Sequence, residues 1–108
     1  MQGRLHLIER LDHVSRLPDG RWITGYWELS ETERAAAKQV FLHRAKAEPA
    51  HWGGEILEVL PAAGFAELAR KHDSNPVGRW VLVVRPLLDA KGARWEGPNH
   101  VMAYKSLA

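Results

Sequence analysis

The residues of this chain whose chemistry could define a function are five tryptophans, ten arginines and six histidines. Tryptophan and arginine are the side chains that grip flat rings and phosphates. The histidines stand at positions 6, 13, 43, 51, 72 and 100, with no two at the i, i+4 spacing that puts paired ligands on one helix face, so no metal site is expected. Cysteine is absent, which excludes disulfides, thiolate metal centres and cysteine nucleophiles. Among the serines, Ser30 is explained by helix capping, and Ser15 and Ser106 have no base nearby in sequence. There is no Gly-x-Ser-x-Gly and no phosphate loop, so no catalytic residue is assigned and no cofactor is expected.

Short elements must position these groups. Leu5 and Leu7 alternate with His6 and Glu9 as in a half-exposed strand, and Pro18-Asp19-Gly20 reads as a tight connection into Arg21-Trp22-Ile23-Thr24. The first 4–29 residues are therefore expected to form an N-terminal hairpin. Ser30-Glu31-Thr32-Glu33 is a capping box ahead of three alanines, and predicts a helix over 31–38. Val40-Phe41-Leu42-His43 reads as a buried strand, and residues 44–54 as a loop carrying cations and Trp52. Ile56 to Leu60 predicts a strand stopped by Pro61, and residues 64–72 a second short helix. Trp80-Val81-Leu82-Val83-Val84 is the clearest strand, apolar on both faces, with Arg79 and Arg85 at its ends. A turn at 89–92 and a last strand at 100–104 complete the chain.

With 108 residues and 45% apolar side chains, the chain is read as one domain, 1–108. Fifteen Lys and Arg against 13 Asp and Glu leave a net charge of only +2, so any nucleic-acid contact must come from a local patch. No apolar run is long enough to span a membrane and no signal-peptide pattern opens the chain, so a cytoplasmic protein without membrane contact is expected. The element order predicts an α+β fold of about six strands with two short helices. Six short strands leave edges exposed unless the sheet curls, which favours a small curled or partly closed mixed β-barrel.

Val40-Phe41-Leu42-His43, a basic loop, and then Gly53-Gly54-Glu55-Ile56 and Glu58-Val59 resemble the EVE branch of the PUA-like superfamily. Asp73-Ser74-Asn75-Pro76 before Arg79-Trp80-Val81-Leu82-Val83-Val84 extends the likeness, as does Tyr26-Trp27 ahead of a helix. The likeness covers roughly residues 25–86. Where that family follows its first tryptophan with lysine and serine, this chain has Glu28-Leu29-Ser30. The related ASCH domains share the barrel, but their glycine-lysine start motif is missing. The resemblance implies a PUA-like barrel whose mouth holds an extruded or single-stranded base, often a modified one. On that reading Tyr26, Trp27 and Trp52 supply aromatic faces and His43 an edge contact, while Arg44, Lys46 and Arg79 clamp phosphate.

Two other classes fit the same residues. In a protein-interaction module, such as a small regulator or mobile-element inhibitor, Trp22, Trp52 and Trp95 are anchors for a partner protein. In a metal-independent ribonuclease, His43 or His51 acts with Lys46 as acid, base and cation. The expectation carried forward is a non-catalytic nucleic-acid-binding module.

Overall fold

The computed structural model describes residues 3–8, 14–45, 48–68, 77–95 and 103–106, the side chains of 66–68 and 103–106 excepted. Seven strands form one mixed sheet: β1 (Gly3–Ile8), β2 (Val14–Arg16), β3 (Trp22–Trp27), β4 (Ala37–His43), β5 (Trp52–Pro61), β6 (Trp80–Pro86) and β7 (Ala103–Ser106), with helix α1 (Glu31–Ala36) between β3 and β4. Two 3-10 turns, Ala62–Leu68 and Leu88–Ala90, follow β5 and β6. The sheet order is β2-β3-β6-β5-β4-β1-β7, and only the β1–β4 pair is parallel. Among the described residues β2 does not pair with β7, and the sheet is not closed. The described residues form a β-rich α+β fold of seven strands, one α-helix and two 3-10 turns.

Local chemistry accounts for much of the order. In the β2–β3 hairpin the Gly20 N–H donates to the Leu17 carbonyl at 2.9 Å and Gly20 adopts φ +92°, which only glycine takes without strain. In α1 the Ser30 hydroxyl accepts from the Glu33 N–H at 3.1 Å, while the Ser30 N–H donates back to the Glu33 carboxylate at 2.7 Å. The helix ends at Ala36, two residues short of expectation, because Ala37 turns to extended geometry and opens β4 opposite Gly3.

Strand β6 sits between β3 and β5 and is buried on both faces. Leu82 and Val84 join Leu5, Leu7, Val40, Leu42 and Ile56 in one cluster, and Val81 and Val83 join Ile23, Tyr26 and Ala62 in another on the opposite face. Each such side chain contributes roughly 1.5–3 kcal/mol by leaving water.

Several expectations are corrected. Residues 4–29 are not one hairpin: β2 and β3 make the hairpin, and β1 pairs instead with β4, four places from β2 in the sheet order after β3, β6 and β5. His6 is not on a solvent face, since the sheet is covered on both sides at β1 and His6 is 1% exposed. Trp52 is not in a loop but opens β5 opposite Leu42. The second helix is a 3-10 turn, because Phe65 at φ −127°, ψ 44° interrupts any helical run; residues 69–72 lie outside the described part. The described last strand is Ala103–Ser106, and positions 100–102 lie outside.

Gly53 and Gly54 read in sequence as breakers, yet both are paired within β5, where backbones approach closely. A Cβ on Gly54 would stand 2.1 Å from the Arg85 carbonyl oxygen, and one on Gly53 would stand 2.3 Å from that of Val40. Gly54→Ala is expected to lower stability by about 1–3 kcal/mol through forced backbone displacement. Gly64→Ala, which meets nothing within 4 Å, should leave the urea midpoint close to wild type. Equal midpoints for the two variants would refute the close-approach account.

Candidate functional site

Strand register divides the residues of interest between two ends of the sheet. Trp22 pairs with Val84, Gly54 with Pro86 and Leu42 with Trp52 at one end, while Trp80 pairs with both Trp27 and Pro61 at the other. The ten residues of β5 between them span about 30 Å. His43, Arg44 and Trp52 therefore belong to the first end, and Trp27 and Arg79 to the second. Lys46 lies outside the described residues. Tyr26 is buried in the core, and its hydroxyl donates to the Phe65 carbonyl at 2.5 Å. The six described side chains do not converge on one pocket.

At the first end two hollows of about 340 Å³ each adjoin. One is walled by Trp52, Gly53, Leu87, Leu88 and Lys91, the other by Asp19, Arg21, Leu57, Val83 and Arg85; Trp22 and Pro86 line both. The Arg16 guanidinium carbon lies 5.9 Å from the Trp22 ring centroid. Among the described residues, the charged groups that line these hollows or touch their linings are Arg16, Arg21, Arg85 and Lys91 against Asp19 and Glu55, two cations in excess. Arg21 and Arg85 are held by carboxylates, to Asp19 at 2.8 Å and Glu55 at 3.0 Å. The Arg21 main-chain N–H, first, and then its guanidinium keep the Asp19 carboxyl below the usual aspartate value. That interaction therefore helps the hairpin at neutral pH and is lost as acid carries the solution down through the lowered value.

The second end holds a groove of about 410 Å³ between α1 and β5. There the Arg34 guanidinium lies 3.9 Å above the Trp80 ring, and its N–H donates to the Leu29 carbonyl at 2.7 Å. Its lining balances Arg34 and Lys38 against Glu31 and Glu58. Nearby, Arg79 meets the Glu28 carboxylate at 3.3 Å, and the Trp27 indole N–H donates to Thr24 Oγ1 at 3.1 Å. Both the charge balance and the covered Trp80 face make this end the poorer host for a polyanion with flat bases.

His43 has a structural post. It is fully buried, with its Nε2 2.8 Å from His6 Nδ1 and its Nδ1 3.0 Å from the Glu48 carbonyl oxygen. A carbonyl oxygen only accepts, so His43 Nδ1 carries a proton that it donates there. In the neutral ring Nε2 then accepts, and the His6 Nδ1–H must be the donor. Phe41 stacks on His6 with centroids 4.7 Å apart, and Trp95 meets both imidazoles edge-on at 6.1 and 5.4 Å. The relay ties β1 to β4 and holds Glu48, four residues ahead of Trp52.

Sequence reasoning weighed Trp22 only as a partner anchor and did not single out Arg16, Arg21, Arg85 or Lys91. Their common signal was faint: Arg16 and Arg21-Trp22 flank the turn at 18–20, and Arg85-Pro86 closes the central strand. Trp95, grouped with Trp22 and Trp52 as an anchor, meets the His6 and His43 rings. No helix among the described residues is long and apolar enough to cross a membrane. No known protein family, no curated protein and no solved structure matches the chain.

The relay makes a quantitative demand. His43→Phe strips His6 of its acceptor and Glu48 of its donor, and is expected to cost about 1–3 kcal/mol of stability. His6→Phe should do likewise, while the double variant should cost clearly less than the sum, because the shared hydrogen bond is lost only once. Additive losses in urea unfolding would show that the two rings do not act as a unit.

Proposed function

We propose that this protein is a non-catalytic module that binds nucleic acid through unstacked bases at the Trp22–Trp52 end of its sheet. The observation that carries this reading is the pair of adjoining aromatic and apolar hollows bordered by an excess of cations. Unstacked bases need a flat apolar face, and the chain that carries them needs positive charge beside it; both requirements are met at one place. The target is a single-stranded or extruded base, modified bases included.

The PUA-like resemblance supports the same reading, since the strand, loop and glycine-led strand that carry it, residues 40–56, deliver Arg44 and Trp52 to this end. We take the sheet to curl toward a partly closed barrel. In favour of curling, one apolar cluster takes residues from β1, β4, β5 and β6, and Val14 of the opposite edge strand packs against it. A cytoplasmic setting goes with a nucleic-acid ligand.

A protein-interaction module is the second reading, and Leu88 favours it. This leucine is 84% exposed on the rim of the Trp52 hollow, where an apolar partner side chain would cover it. A ribonuclease is the weaker third: His43 is spent on holding a carbonyl and a second imidazole, away from any surface.

Titration of labelled single strands and duplexes at several salt concentrations tests the proposal. Binding to single strands should weaken steeply with salt, with a logarithmic slope of about 0.7 for each phosphate engaged. Trp22→Ala should reduce affinity about 5- to 150-fold, the range set by roughly 1–3 kcal/mol of stacking. Absence of binding to every strand at low salt would overturn the proposal.

Asp19→Asn removes the carboxylate that occupies Arg21 while leaving an oxygen to accept from the Arg21 N–H. It is expected to tighten binding at low salt, an advantage that fades as added salt screens the patch. Unchanged or weaker binding by a folded Asp19→Asn protein would remove Arg21 from the interface.

A further inference from the structure

We propose, on the foundation of that nucleic-acid reading, that the ligand is a single strand engaged as a dinucleotide step, with neighbouring bases in separate hollows and Trp22 with Pro86 as the ridge between them. The two linings share only these two residues, and the hollows are of similar size, about 340 Å³ each. A ligand with one ring would fill one hollow and leave its twin open. Two rings joined by a flexible link fill both.

The link in a nucleic acid is a phosphodiester, and it must cross the ridge. Cations stand where it would pass: Arg16 beside the Trp22 ring, Lys91 on the rim of one hollow and Arg21 and Arg85 on the rim of the other. Arg16 and Lys91 make no ion pair among the described residues, whereas Arg21 and Arg85 are already matched by Asp19 and Glu55. The bridging phosphate therefore falls to Arg16, and a flanking phosphate to Lys91.

The ridge also selects against a duplex. Neighbouring bases in a duplex stack in contact, and an indole can part them only after they unstack, which has a cost at every step. A single strand bears far less of that cost. Both hollows are largely apolar, and they differ in their charged groups: Lys91 lines the Trp52 hollow, whereas Arg21, Arg85 and Asp19 line the other and are able to address base edges.

A length series separates this inference from the reading beneath it. The full chain is titrated at low salt with a nucleoside monophosphate, a dinucleotide, a tetranucleotide and a blunt duplex, in deoxy and ribo forms, by calorimetry. The dinucleotide is expected to bind at least tenfold more tightly than the monophosphate, with a smaller gain on going to four nucleotides and the weakest binding for the duplex. Trp52→Leu should bring the dinucleotide down to the affinity of the monophosphate, and Arg16→Gln should weaken the dinucleotide while sparing the monophosphate. Trp22→Phe, which keeps an aromatic ring on the ridge, should retain most of the dinucleotide preference. A monophosphate that binds as tightly as the dinucleotide, or a duplex that binds more tightly than the single strand, would overturn the two-hollow step and leave nucleic-acid binding standing. Silence toward every oligonucleotide would overturn both. A difference between deoxy and ribo arms assigns the polymer without altering the step.

Discussion

The close approach of β5 to the strands on either side of it is the constraint on which the rest of this structure depends. Gly54 lies against the Arg85 carbonyl and Gly53 against the Val40 carbonyl, so β5 packs at distances no side chain would allow. Through that strand β4 and β6 are held in one sheet, and through β6 the β3 strand is brought in. Trp52 precedes the two glycines, and Pro86 pairs with Gly54. The same contact that permits the sheet to form thus sets two walls of the hollow at its end.

Burial on both faces of β6 turns that constraint into rigidity. Its alternating Val81, Leu82, Val83 and Val84 feed two apolar clusters, and neither cluster can shift without disturbing the other. Trp22, on β3, pairs with Val84, so its strand is backed by β6. The opposite wall is mounted differently. Trp52 follows a connection tied down by the His6–His43 relay to the Glu48 carbonyl, a polar anchor worth defending only if the position of that connection matters.

What could be read in the sequence follows a physical line between local and remote interactions. The capping box at Ser30 and Glu33 and the turn at Pro18-Asp19-Gly20 use contacts within a few residues, and both appear as expected. The both-sided hydrophobicity of 80–84 likewise announced a central strand. The parallel pairing of Gly3–Ile8 with Ala37–His43 left no such mark, because partners more than thirty residues apart are chosen by the whole sheet. Gly53-Gly54 misled for a related reason: glycine signals both a chain that turns and a chain that is crowded, and only the neighbours distinguish these. His6 looked solvent-facing by alternation, but alternation reports a face and not whether that face is covered. Tyr26, Trp27, His43, Arg44, Trp52 and Arg79 were chosen by type, and the sheet distributes them between two ends and a core.

The ion pairs of the proposed interface carry a further consequence. Exposed pairs such as Arg21–Asp19 and Arg85–Glu55 are worth at most about 1 kcal/mol, since water and salt compete for both partners. Such a weak pair is still enough to keep a long side chain from sampling all its rotamers. Exchanging the carboxylate for a phosphate then costs little in charge interaction, and the guanidinium is already ordered, so less conformational entropy is lost on binding. Among the described residues Arg16 and Lys91 have no such partner, and they gain more charge interaction from a phosphate, at a greater ordering cost. An interface built from both kinds orients a strand through its held arginines and draws affinity from Arg16 and Lys91, which concentrates its salt sensitivity at those two cations rather than across the whole patch.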